Sequence, residues 1–438
     1  MQNRLLLKNA QIINEGLSFK GGIFVCGDLI ADIFDYSRED DVERERALQG
    51  VPVQDLEGCC LMSGVIDEHV HFREPGATHK GCIASESAAA LLGGVTSYLD
   101  MPNNNPPATD AAALRAKMEI ASRDSRANYG FYLGATDTNL PEIERAREMG
   151  ACAVKVFFGS STGNLLMSDA EAIERLFRRS PLMIAAHCED NAVITANLER
   201  FRRQYGDDIP VSAHPLIRSR EACLSSTRRA VELALKTGAR LHIMHVSTAE
   251  EVEYLADVMR RSDRVSAEAC VQYLWFCDAD YERYGAQIRC NPAIKSASDR
   301  SALWDGVRSG VLSAISTDHA PHLPAEKQGS YMQAAGGIPL VQYSLPMMLE
   351  KVSQGVISLP MVAERMCHAP ARLFSIERRG FIRKGYYADL VVFKMGCPSD
   401  VPPASRCGWS PLTRFSNTIV RTFVNGTQNR GRSLEFRV

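Results

Sequence analysis

Apolar and polar positions change texture twice along the chain. The first segment, "RLLLKNAQII" and "GGIFVCGDLIADI", alternates loosely between apolar and polar positions and is punctuated by glycine, which predicts short strands. A charged run, "SREDDVERERALQG", follows as a solvated loop or short helix. After Gly64 short apolar runs are each followed by a helical pattern. "AVKVFFG" precedes "DAEAIERLFRRS", "LMIAAHCED" precedes "NAVITANLERFRRQYG", and "ARLHIMHVS" precedes "AEEVEYLADVMRRS". Repeated strand-then-helix units predict a parallel sheet with right-handed crossovers. About eight such units suit an α/β chain folded as a (β/α)8 TIM barrel, with a doubly wound open sheet as the rival. The tail, "GFIRKGYYADLVVFK" and "RTFVNGTQ", returns to strand texture. The two ends are therefore expected to pack together as a small β-sandwich domain. The expected division is 1–57 and 377–438 for the two sandwich parts and 58–376 for the barrel.

Composition adds exclusions. The chain has 438 residues, 45% apolar and 23% charged, with a net charge of −2. That balance favours neither nucleic acid nor an anionic membrane as partner. Thirteen cysteines without paired spacing argue against a disulfide framework and for a reducing cytoplasm. The N-terminus carries no cleavable signal pattern, and no apolar run is long enough to span a bilayer. The expectation is a soluble cytoplasmic enzyme.

Barrel chemistry collects at the C-terminal ends of strands. The polar residues ending the apolar runs include His69 and His71 in "DEHVHFREPG", Lys155 in "AVKVFFG", His187 in "AAHCED", His245 in "HIMHVS" and Asp318 in "STDHAPH". A single strand-end histidine is usually a hydrogen-bonded core residue. Six such residues, four histidines, a lysine and an aspartate, at successive strand ends point instead to metal. Residues i and i+2 of a strand share a face, so His69 and His71 grip one ion. His187 and His245 hold a second, and imidazole suits zinc. Carbamylated Lys155 is expected to bridge the pair as an anion, which requires the neutral amine that burial favours. Asp318 would ligate one ion and handle the proton of a hydroxide nucleophile. His79, His214, His242 and His368 read as ordinary residues, with His242 facing away from His245.

The ordered set "DEHVHFREPG", "GGVTSYLDMPNNNP", "AVKVF", "AHCED", "HVST", "STDHAPH", "PARLF" and "ADLVVF" resembles the cyclic amidohydrolases, and within them the dihydroorotase family. The resemblance runs from about Val53 to Lys394. It implies a TIM barrel with a flanking β-sandwich and two zinc ions, one on His69, His71 and Asp318, the other on His187 and His245, bridged by carbamylated Lys155. It also implies reversible cyclisation of N-carbamoyl-L-aspartate to L-dihydroorotate in pyrimidine synthesis. Arg73, Asn103 and His322 would then bind the substrate carboxylate, and Asn291 the ring amide edge. The Gly/Ser-rich "FGSSTGNLL" reads as a lid with Gly159 and Gly163 as hinges and Thr162 toward substrate. A homodimer is the family expectation. The alternatives are a hydantoinase- or allantoinase-like hydrolase, or a non-catalytic partner of aspartate transcarbamoylase.

Overall fold

The computed structural model describes residues 4–158, 165–426 and 431–436. The proposed lid residues Gly159, Thr162 and Gly163 lie outside them.

The N-terminal strands β1 (Arg4–Asn14), β2 (Leu17–Cys26) and β3 (Leu29–Asp35) form an antiparallel meander. β4 (Val53–Asp55) and β5 (Cys60–Ser63) return to β1 in parallel. The barrel follows with β6 (Val65–Val70), β7 (Val95–Asp100), β8 (Asn128–Phe131), β9 (Leu133–Gly134), β10 (Val154–Phe157), β11 (Ile184–His187), β12 (Leu241–Ile243), β13 (Val265–Cys270) and β14 (Ala314–Ser316). The tail supplies β15 (Leu390–Lys394), the small pair β16 (Ser399–Asp400) and β17 (Arg414–Phe415), and β18 (Thr418–Phe423).

β15 and β18 join β5, so both chain ends share one seven-stranded sheet in the order β18-β15-β5-β1-β2-β3, with β4 beside β1. Leu7, Ile12, Ile23, Val25, Leu61, Leu390 and Val392 form its apolar core. Because Cys60–Ser63 pair with both β1 and β15, this sheet extends past residue 57 to Ser63.

β6 to β14 run parallel, in the orders β6-β7-β8 and β9-β10-β11-β12-β13-β14. β8 and β9 are one strand interrupted at Tyr132, which makes eight staves. The ring closes through the segment after β14, where the His71 amide donates to the His319 carbonyl (2.7 Å) and the Thr317 hydroxyl to Asp67 Oδ2 (2.7 Å). Every residue of β6, β7, β8, β10 and β11 is buried, as expected of strands covered on both faces. The connecting helices carry local stop and start signals. The helix Arg220–Thr237 begins at Ser219, whose hydroxyl accepts from the Ala222 amide, and ends at Gly238 with φ of 77°.

Candidate metal centre and substrate pocket

All ten site residues named from the sequence line one cavity of about 310 Å³ at the C-terminal ends of the staves. They are His69, His71, Arg73, Asn103, Lys155, His187, His245, Asn291, Asp318 and His322, together with Phe157 and the 335–337 loop.

His69 Nε2 and His71 Nε2 lie 3.2 and 3.0 Å from the same atom, Asp318 Oδ1. The other ring nitrogens are occupied. His69 Nδ1 donates to Glu268 Oε1 (2.6 Å) and His71 Nδ1 to Asn103 Oδ1 (2.7 Å). Each imidazole therefore turns a lone pair toward Asp318, the tautomer a metal ligand requires. Burial lowers the proton affinity of both rings. It also raises that of Asp318, against the pull of His69 and Lys155.

Across the cavity, His187 Nδ1 faces His245 Nε2 at 2.8 Å, and His187 Nε2 donates to Glu189 Oε2 (2.8 Å). Arg218 holds that carboxylate through Nε (3.1 Å) and Nη2 (2.9 Å). His245 Nδ1 is buried without a hydrogen-bond partner. The His69 and His245 rings stand 5.4 Å apart, so the two ligand groups form one cluster.

Lys155 is buried between them. Its Nζ approaches Met244 Sδ (2.7 Å) and sits 4.8 Å over the Phe157 ring. Burial pulls its pKa down to about 8, which supplies neutral amine near physiological pH. This donor set fits a pair of divalent cations: imidazole lone pairs and a carboxylate converge on one cavity around a buried amine that carbon dioxide would convert to an anionic carbamate.

Three residues that aim the site have left-handed backbone: Arg73 (φ 66°), His245 (φ 41°) and Asp318 (φ 47°). Such conformations cost free energy in non-glycine residues and persist where surrounding structure holds them. β12 ends at Ile243, so strand alternation does not carry through to His245. Glu268 lies 3.3 Å from His242 Nε2 through Oε2 and accepts from the His245 backbone amide through Oε1 (3.1 Å).

Toward the mouth, Arg73 Nε donates to the Pro321 carbonyl (3.2 Å), and Arg73 Nη2 lies 3.1 Å from His322 Nε2. Glu74 accepts instead from the Ile83 amide (2.8 Å). Among the described residues no carboxylate forms an ion pair with Arg73. Asn291 Oδ1 is buried with no partner, and its amide packs against Gly336. Burial, then the charges of Arg73, Lys80 and Lys327, push the His322 imidazole down to about 2, so it is neutral.

The carboxylates behind the ligands escaped the sequence reading. Glu268 sits in an unremarkable run, "SAEAC", and Glu189 follows His187 in "AHCED" without marking itself as its partner; the fold turns them toward His69 and His187. His319, beside Asp318, is a structural residue. It donates from Nε2 to Glu86 (3.0 Å) and accepts at Nδ1 from the Val341 amide (3.1 Å). His214 and His368 bond the carbonyls of Cys290 and Gly380, and are held away from the metal cluster.

The model of the amidohydrolase family matches residues 60–428. A dihydroorotase of Halobacterium salinarum is 32% identical over 377 residues, covering 84% of this chain and 85% of that protein. An allantoinase of Solibacter usitatus is also 32% identical, over 387 residues covering 86% and 84%. The structure of an L-hydantoinase from Arthrobacter aurescens superposes with a TM-score of 0.91 at 25% identity, covering 99% of this chain and 100% of that one. With the family match spanning most of the sequence and the barrel assembled around the histidine–aspartate cluster, the chain belongs to the amidohydrolase family, as an enzyme of the cyclic amidohydrolase kind.

Proposed function

We propose that the protein is a dihydroorotase, interconverting N-carbamoyl-L-aspartate and L-dihydroorotate in pyrimidine synthesis. The observation that carries this reading is Arg73. Its guanidinium faces the metal-ligand pocket beside His322 and finds no protein carboxylate among the described residues. A half-buried guanidinium with no paired carboxylate suits an anionic substrate, which it can hold as a fork. Hydantoin and allantoin carry no such group.

His69, His71 and Asp318 would hold one zinc ion, His187 and His245 the other, with carbamylated Lys155 between them. When bound, these ions supply a hydroxide near neutral pH and polarise the ring amide carbonyl. The chain's own residues do the rest. Arg73 and His322 anchor the ring carboxylate, with Asn103 contributing its amide while its carbonyl orients His71. Asn291 Oδ1 accepts the ring N–H, which would satisfy its buried oxygen. Asp318 takes a proton during attack and returns it to the leaving ring nitrogen; in ring closure it works in reverse. The raised proton affinity of Asp318 suits that duty.

A cytoplasmic homodimer completes the reading. Retention of all six ligand residues in one cavity supports catalysis over a purely structural role beside aspartate transcarbamoylase. A hydantoinase-like activity is the second reading, favoured by the superposition on L-hydantoinase. Steady-state rates of the purified protein on dihydroorotate, hydantoin and allantoin test the two. Dihydroorotate should lead in kcat/KM, and a lead by either uncharged ring overturns the proposal.

A further inference from the structure

His322 meets three neighbours whose demands on its protons differ. Nδ1 lies 3.3 Å from Lys80 Nζ. Nε2 lies 3.2 Å from the Gly336 carbonyl and 3.1 Å from Arg73 Nη2. An ammonium can only donate, so Nδ1 must present a lone pair to Lys80. A carbonyl can only accept, so Nε2 must carry the hydrogen. These two contacts agree, and a neutral imidazole has one N–H to assign. The competing partner for Nδ1, Glu326 Oε2, is 3.8 Å away and is engaged by the Leu323 amide (2.8 Å). Glu326 Oε1 instead holds Lys80 in place (2.7 Å).

The consequence falls on Arg73. Its Nη2–H then faces, at 3.1 Å, an N–H already directed at the Gly336 carbonyl, so Nη2 finds no acceptor on His322. An oxygen that accepts from both resolves the conflict. Resting on the dihydroorotase reading, we propose that Lys80, which lies outside the cavity lining, is a positioning residue for substrate selection. Its ammonium locks His322 as the Nε2–H tautomer, so that His322 and Arg73 form a donor pair that accepts a carboxylate and disfavours a ring without one. Without Lys80 the Gly336 carbonyl alone holds the hydrogen on Nε2, and the Arg73 Nη2–H competes for a lone pair there.

The test reads tautomer and kinetics separately. In 15N-labelled protein, with the His322 signals identified by their loss in His322→Asn, wild type should show Nε2 protonated and Nδ1 bare near pH 7.5. Lys80→Met should shift His322 toward the Nδ1–H form, and Lys80→Arg should keep the wild-type pattern. Lys80→Met should raise KM for dihydroorotate about tenfold, the worth of one hydrogen bond to a charged group, with kcat little changed. Turnover of dihydrouracil, the same ring without the carboxylate, should not move, and Lys80→Arg should restore KM. A wild-type Nδ1–H tautomer, or an unchanged tautomer or KM in Lys80→Met, overturns the proposal. Should wild type fail to turn over dihydroorotate at all, the substrate reading falls, and the tautomer measurement alone then decides what Lys80 does to His322.

Discussion

Glu268 Oε1 stands 2.6 Å from His69 Nδ1, and its other oxygen 3.3 Å from His242 Nε2. The carboxylate thus ties a cavity-facing histidine to one deeper in the barrel. Burial alone would favour its neutral form, but the two imidazoles hold it well below the usual carboxylate range. Charged, it accepts a hydrogen bond from His69 Nδ1 and leaves Nε2 with a lone pair toward Asp318. Replacing it with glutamine keeps the volume and removes the charge. Glu268→Gln is expected to weaken metal binding about 10- to 100-fold, as for other carboxylates behind metal-bound histidines. Competition with a chelator of known affinity measures this. Unchanged affinity would mean that His69 needs no such support.

Asp318 is the proposed proton carrier. Asp318→Asn preserves shape and part of the ligand set, but an amide cannot take up the proton. Turnover of dihydroorotate is expected to fall by about 10²- to 10⁴-fold, the usual worth of general acid–base catalysis. Metal analysis of the same preparation separates lost chemistry from lost ions. Wild-type turnover would remove Asp318 from the role.

Arg73→Ala should act on binding and discriminate between substrates. The expected result is a KM for dihydroorotate raised at least about tenfold, from loss of a charge-assisted hydrogen bond, with little effect on dihydrouracil. Equal effects on both rings would show that Arg73 does not read the carboxylate.

Lys155 offers a pH-dependent handle. Its pKa, drawn down by burial to about 8, makes the neutral fraction grow as pH rises through that value. Only the neutral amine reacts with carbon dioxide. Stripped protein given zinc and bicarbonate should therefore regain activity faster at about pH 8.5 than at about pH 6.5. A rate independent of bicarbonate at both values would exclude the carbamate.

Lys327 holds the mouth of the pocket. Its Nζ donates to the carbonyls of Arg289 (3.0 Å), Ala335 (3.1 Å) and Gly337 (2.8 Å), pinning the loop that carries Gly336 under Asn291 and His322. Burial lowers its pKa to about 7 from 10.5. Between those values the unfolded chain binds the extra proton, so folding stability rises with pH from about 7 upward. Lys327→Met removes that dependence. Denaturant unfolding of both proteins from about pH 6 to pH 9 should show the wild-type curve gaining stability relative to the variant. Parallel curves would mean the lysine keeps an ordinary pKa in the folded state.

The candidate ligand residues were legible because the chemistry is written at strand ends. A histidine, lysine or aspartate closing an apolar run is placed by the barrel rule without knowledge of any contact, and His69, His71, Lys155, His187, His245 and Asp318 do converge. The alternation of strand and helix likewise specified a parallel sheet, since each buried run needs a crossover to reach its neighbour. What the sequence could not carry was pairing between distant side chains. Glu268 meets His69 across 199 residues, and Lys80 meets His322 across 242. Nothing local marks such partners, because a hydrogen bond depends on where two backbones pass and not on what lies beside either residue in the chain. The left-handed turns at Arg73, His245 and Asp318 belong to the same class: they are held by the packed barrel and have no glycine to announce them. Sequence alone determined which atoms could bind metal and in which layer of the fold they lie. Tertiary structure decided which nitrogen of His69, His71 and His187 faces the cavity, because that choice is made by the partner on the ring's other side.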